Sequence, residues 1–241
     1  MFCAVISRKA RLDRLIDGCN KQPREDIITS SLFGSIEFLT KSERVLALNV
    51  LTGHEFSKDV NVFLWPYFRN GKERCEPDIV LRDIVEGHSV YWIVEVKWGA
   101  ALGVNQIQRE IRALQTGECC RGNIPYAPRK VIGYTLLGAE EKHKDVLNEA
   151  RQVYVEMKVL SRTWTELTSR LRYLTNIDDT GLCAWTKTVE EFLNATSRGY
   201  ILGSWPVLYP TEAKHFMFGS GGIFPLMPAR QKVSVVQFYF D

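Results

Sequence analysis

The chain has 241 residues, 45% hydrophobic and 24% charged, which is enough apolar material to close the core of one large domain. Its net charge of +3 is only mildly basic, so it neither requires nor excludes a polyanionic partner. No apolar run approaches the roughly 20 residues of a membrane span, and no membrane association is expected.

The six cysteines (Cys3, Cys19, Cys75, Cys119, Cys120 and Cys183) form no Cys-x-x-Cys pair, so zinc-site spacing is absent. The opening MFCAVISRKARL holds too short an apolar run for a signal peptide. The expectation is a cytoplasmic protein with free thiols.

Taken in chain order, REDIITSSLFGSIEFL at 24–39 predicts an amphipathic helix, because Ile28, Leu32, Ile36 and Leu39 fall in one stripe. Glu25 lies at the centre of that stripe and Asp26 at its edge. VNVFLWPYF at 60–68 predicts a strand broken at Pro66, and RNGKERC predicts a turn. The segments 79–85 and 90–96 are rich in β-branched and aromatic residues, with Glu86-Gly87-His88-Ser89 between them, and predict a hairpin. Both of their faces are apolar, which puts the pair centrally in a sheet. Helical spacing returns at Val104, Ile107, Ile111 and Leu114.

KVIGYTLLG at 130–138 predicts another buried strand, EEKHKDVLNEARQV a polar-faced helix and VYVEMKVLS a strand. Beyond Arg162, WTELTSRLRYL and WTKTVEEFLNAT predict short helices around NIDDTG, and a Gly-, Pro- and aromatic-rich tail follows from Arg198. The expected organisation is an α/β core over 1–162 and a C-terminal helical-plus-β appendage over 163–241.

Asp78, Glu95 and Lys97 lie inside the apolar hairpin segment, where an unpaired charge is costly to desolvate. With the turn centred between Gly87 and His88, Val85 opposes Val90 and Asp78 opposes Lys97, and opposed residues share a face. Glu95 and Lys97 are two apart and share it too. Asp78 and Glu95 are then diagonal neighbours about 7 Å apart. Carboxylates so close repel unless a cation bridges them, and hard divalent cations take oxygen ligands. A lysine beside them can hold an anionic group or a water. The three residues read as gathered around a metal and a phosphate, with a local salt bridge at the strand ends as the alternative.

Glu76-Pro77-Asp78, sixteen intervening residues and then Glu95-Val96-Lys97 resemble the motif of the PD-(D/E)xK nuclease superfamily. The resemblance covers roughly 24–162 and implies a restriction-endonuclease-like fold, a central mixed β-sheet flanked by helices. Family members often place a glutamate facing the site on the helix before the core sheet. Glu25 matches it, with Asp26 as a substitute and first-turn placement for the helix dipole as the competing explanation. Gln106 in NQIQRE matches a glutamine that many branches keep beside the active lysine, although a solvent-facing amide would explain it as well. Glu110, four residues on, could hydrogen-bond Gln106.

The resemblance implies that Asp78, Glu95, Lys97, Glu25 and Gln106 carry phosphodiester hydrolysis, with DNA as the first substrate. Mg²⁺, for which Mn²⁺ can substitute, would be held by Asp78, Glu95, the Val96 carbonyl and Glu25. Lys97, Arg109 and Trp98 would face the nucleic acid. EDIITSSLFGSI and EVKWGAALGVNQIQRE are also similar to stand-alone members of bacterial anti-phage systems. That implies an antiviral effector. A net charge of +3 leaves few Lys or Arg for phosphate contacts unless they cluster, so a homo-oligomer or a partner such as an ATPase or sensor is expected. RNA cleavage on the same fold and a non-catalytic scaffold subunit are the rival readings. An intact Asp78, Glu95 and Lys97 speaks against the second of these.

Overall fold

The hairpin at the middle of the sequence organises the fold. In the computed structural model, which describes residues 25–125, 129–174 and 180–196, Ile79–Val85 (β4) pairs antiparallel with His88–Val96 (β5). Glu86 and Gly87 form the whole turn, at φ 52° and 79°. Two left-handed residues give the turn whose twist matches the strands, and glycine accepts that backbone without strain. The loop is therefore two residues rather than four. Val85 opposes His88, Ile79 opposes Val94, and one step further Asp78 falls against Glu95 instead of Lys97. This register differs from the expected one by two residues, and side chains alternate with period two. Every residue keeps its expected face.

Asn61–Leu64 (β1) extends the sheet beside β4, while Lys130–Leu137 (β7) and Lys158–Arg162 (β8) add parallel strands beyond β5. The result is a mixed five-stranded sheet in the order β1-β4-β5-β7-β8. Tyr67–Asn70 (β2), Glu73–Cys75 (β3) and Glu118–Arg121 (β6) form a separate antiparallel sheet in the order β3-β2-β6. The chain crosses between the sheets at Trp65-Pro66, where proline cannot donate to a ladder.

Six α-helices occur among the described residues: Glu25–Phe33 (α1), Lys41–Thr52 (α2), Gln106–Thr116 (α3), Lys144–Val153 (α4), Trp164–Leu174 (α5) and Thr180–Thr196 (α6). One face of the large sheet presents Ile79, Leu81, Trp92, Val94 and Val96 to α1, α2, α5 and α6. The other presents Val80, Tyr91, Ile93, Tyr134 and Leu136 to α3 and α4. The protein is thus α/β, with helices on both faces of a mixed sheet. No helix among the described residues is long and apolar enough to cross a membrane.

Several elements differ from expectation. α2 was not among the expected helices, although its signals are local. Thr40 and Glu43 make a reciprocal capping box, and Gly53 ends the helix in the left-handed conformation at φ 80°. Val104, expected on the buried stripe of α3, is 87% exposed, because the helix starts two residues later. The last strand, expected over VYVEMKVLS at 153–161, starts only at Lys158 and runs to Arg162.

The helices beyond Arg162 share the apolar core of α1 and α2 through Leu167, Leu171, Leu182, Trp185 and Val189. The buried carboxylate of Glu43 accepts the Leu182 N–H at 2.6 Å, and Trp185 Nε1 donates to Ser35 Oγ at 2.9 Å. The expected β-rich tail lies outside the described residues, as does the opening MFCAVISRKARL. Because Leu171 is fully buried in that shared core, Leu171→Ala is expected to destabilise the protein by about 2–5 kcal/mol. Chemical denaturation should show one shifted transition. A second, independent transition would contradict a shared core.

Candidate active site

The expected site residues meet where β4 begins and β5 ends, on the face covered by α3. Asp78 immediately precedes β4. Its carbonyl accepts the Trp65 N–H at 2.8 Å, and its Oδ2 accepts the Val96 N–H at 2.9 Å. In an extended strand the N–H and C=O of one residue point to the same side, so the Val96 carbonyl is also directed toward Asp78. Glu95 is 3% exposed, and its Oε1 accepts both Lys97 Nζ and Gln106 Nε2 at 2.6 Å. Lys97 Nζ also lies 3.5 Å from Glu25 Oε2.

Glu25 crosses from α1 to the end of the sheet, where its Oε1 accepts the Trp98 N–H at 2.8 Å. That backbone bond belongs to the lysine strand, so Glu25 does more than decorate the first turn of its own helix. Lys97 itself is anchored through its main chain. Its N–H donates to Leu137 O at 2.8 Å, and its carbonyl accepts Trp164 Nε1 at 3.0 Å. Asp78, Glu95, Lys97, Glu25 and Gln106 are therefore all brought together. Trp98 packs edge to face on Trp164 with ring centroids 4.8 Å apart, so its ring already serves the core. Arg109 is exposed on α3 and interacts with the Cys75 thiol.

Two side chains complete the cluster. Gln106 Nε2 donates to Glu110 Oε1 at 2.8 Å, the bond expected from their spacing, and Tyr134 OH donates to Glu110 Oε2 at 3.0 Å. The membership of Glu110 in the site was signalled only by its helical offset from Gln106. Tyr134 had no local signal, since it reaches the cluster from β7 through the tertiary fold.

Three carboxylates, Glu95, Glu25 and Asp78, thus face the ammonium of Lys97, and a fourth, Glu110, lies beside Glu95 and Asp78. Burial and the Glu95 charge push Asp78 well above the usual carboxylate range, against the pull of the Val96 N–H and Lys97. Burial and Glu95 raise Glu110 in the same way. Burial alone would lower Lys97, but Glu95, Glu25 and Asp78 outweigh it and hold the ammonium above its ordinary value. Negative charge in excess of the ammonium calls for protons or for a cation.

The donor set suits a hard divalent cation, since Asp78, Glu95 and the Val96 carbonyl all offer oxygen. Among the described residues no three His, Cys, Asp or Glu side chains stand close enough to enclose an ion as placed. Lys97 supplies the positive charge against Glu95 in this arrangement. No family model matches the chain, and no curated protein and no solved structure matches it.

The raised carboxyls carry a sign for stability. Asp78 and Glu110 bind protons more readily folded than unfolded. Their contribution is complete below the ordinary carboxylate range and is lost as pH rises through the raised folded values. In EDTA, the melting temperature gained between neutral pH and the carboxylate range should be smaller for Asp78→Asn than for the wild type. At neutral pH the variant should melt higher. Circular dichroism melts across that interval check both points, and equal slopes would contradict the assignment to Asp78.

Proposed function

We propose that the protein is a metal-dependent nuclease with a restriction-endonuclease-like core, hydrolysing phosphodiester bonds, in DNA before other substrates. The observation that carries this reading is the convergence of Asp78, Glu95 and Lys97 at one end of the hairpin, with Gln106 bonded to Glu95. Asp78, Glu95 and the Val96 carbonyl would hold Mg²⁺, with Glu25 completing the set. When bound, such an ion supplies Lewis acidity toward the phosphoryl oxygen and lowers the pKa of the attacking water.

The protein's own groups have distinct tasks. Lys97, held protonated by Glu95, Glu25 and Asp78, is a poor proton acceptor. It acts as a fixed positive charge that orients water and offsets the charge gathering on phosphorus-bound oxygens. Gln106 fixes the carboxylate plane of Glu95. Glu25 shares the ammonium and ties the backbone of Trp98 to α1. A net charge of +3 spares few side chains for phosphate contacts. Tight, selective binding would then come from self-assembly or from a partner such as an ATPase or sensor, in keeping with an anti-phage effector.

The test is incubation of the purified chain with plasmid, single-stranded DNA and RNA in Mg²⁺, Mn²⁺ or EDTA. Metal-dependent cleavage of DNA is expected. Cleavage confined to RNA would move the substrate, and binding without cleavage would favour a scaffold subunit. Asp78→Ala, Glu95→Ala and Lys97→Ala should each lower the rate at least about 100-fold. By calorimetry, Mn²⁺ affinity should fall in the first two variants and persist in Lys97→Ala. Full activity in Glu95→Ala would end the nuclease reading. Glu25→Gln keeps an oxygen for the Trp98 N–H but removes a charge from the cluster, so activity should drop while the melting temperature holds or rises.

A further inference from the structure

Glu110 has no task in the chemistry proposed for Asp78, Glu95 and Lys97, yet it is 2% exposed and hydrogen-bonded at both oxygens. It sits on the buried side of α3 between Ile107 and Ile111, both fully buried. An apolar side chain there would pack without electrostatic cost. A carboxylate buried near Glu95 is expensive.

The bonds around Gln106 show what Glu110 does. Gln106 Oε1 accepts the Gly103 N–H at 2.8 Å, while its Nε2 donates to Glu95 Oε1 at 2.6 Å and to Glu110 Oε1 at 2.8 Å. An amide nitrogen carries two hydrogens, and the two glutamates use both. Turning the amide over would point its oxygen at two carboxylates and its N–H groups at the Gly103 N–H. We propose that Glu110 is a positioning residue, braced by Tyr134, which holds the Gln106 carboxamide in the orientation that presents an N–H to Glu95. This rests on the nuclease reading, and it adds a helix-borne carboxylate and a β7 phenol to the machinery that aims Glu95. Glu110 itself touches neither substrate nor ion in this role.

The experiment compares wild type, Glu110→Leu, Gln106→Ala and the double variant in steady-state plasmid cleavage with Mg²⁺. The side-chain amide NMR signals of Gln106, identified by their loss in Gln106→Ala, are recorded alongside. Leucine fills similar space and accepts no hydrogen bond. Glu110→Leu is expected to lower kcat about 10- to 100-fold with little change in KM. Gln106→Ala should show a similar loss and the double variant no further one, because both act through the same bond. The Gln106 amide signals should move toward those of a free carboxamide in Glu110→Leu. An unchanged kcat, or losses that multiply in the double variant, would overturn the proposal.

If Glu110→Leu does not fold, Tyr134→Phe, which removes only the brace, should give a smaller loss in kcat and a smaller shift of the same signals, and unmoved signals there count against the proposal. If the wild type cuts no nucleic acid, the nuclease reading fails alone. The amide signals still decide, because their persistence in Glu110→Leu would refute the positioning role.

Discussion

The arrangement at the end of β5 depends on a buried ammonium lying 2.6 Å from a buried carboxylate, Lys97 against Glu95. Such a pair is a weak source of stability, since desolvating two ions can cost more than their attraction returns. Removing one partner is another matter, at about 3–5 kcal/mol, because the survivor is left buried and unpaired. The surroundings follow from this. Gln106 serves the Glu95 oxygen that Lys97 serves, Glu25 shares the ammonium, and Asp78 is steadied by the Val96 N–H. The cluster is still richer in negative than in positive charge. In the proposed function a divalent cation supplies what the side chains do not.

The layers of the fold hold that pair from both sides. From the α3 side come Gln106 and Glu110, and from the α1 side comes Glu25. The helices after β8 contribute through Trp164, whose indole donates to the Lys97 carbonyl. Gly138, at φ 80°, closes the same corner: a side chain there would run into both the Lys97 carbonyl and the Trp164 ring. The backbone can approach so closely only where no Cβ intervenes. The segment beyond Arg162 therefore helps to seat the lysine strand as well as filling the core.

Legibility in the sequence varied with the range of the force at work. The shared face of Asp78, Glu95 and Lys97 survived a wrong hairpin register, because a shift of two residues preserves side-chain parity. β4, β5 and β7 were readable because their apolar runs are long. β3 and β6 have only three or four residues each and mostly exposed side chains, so no pattern announces them, and only Tyr67 and Phe68 of β2 fell in the strand expected over 60–68. α2 buries Ala47, Leu48, Leu51 and Thr52, and leaves Leu46 38% exposed. A stripe that uses alanine and threonine while an outward leucine competes with it is faint in hydrophobicity, and the capping box was the better signal. Val104 was misplaced because its apolar spacing continues that of the helix across Asn105, whose left-handed backbone at φ 52° lies just before the helix begins at Gln106. Tyr134 could not be found at all from local pattern.

Asp78 owes its position to the fork between the two sheets. The chain leaves β1 at Trp65, a buried residue in the left-handed region at φ 47°, before Pro66 starts it toward β2. A bulky residue there is strained, and the surrounding contacts hold it. The Trp65 N–H donates to the Asp78 carbonyl at 2.8 Å, and Arg121 Nη2 donates to the Trp65 carbonyl at 2.9 Å. Arg121 also pairs with Glu76, two residues before Asp78. One guanidinium thus ties β6, the strained junction and the Glu76-Pro77-Asp78 segment together. Relaxing Trp65 to an ordinary conformation would release the Asp78 main chain, and with it the carboxylate that meets Val96. The strain is therefore stored beside the site, and the residues that confine it are those that set where Asp78 stands.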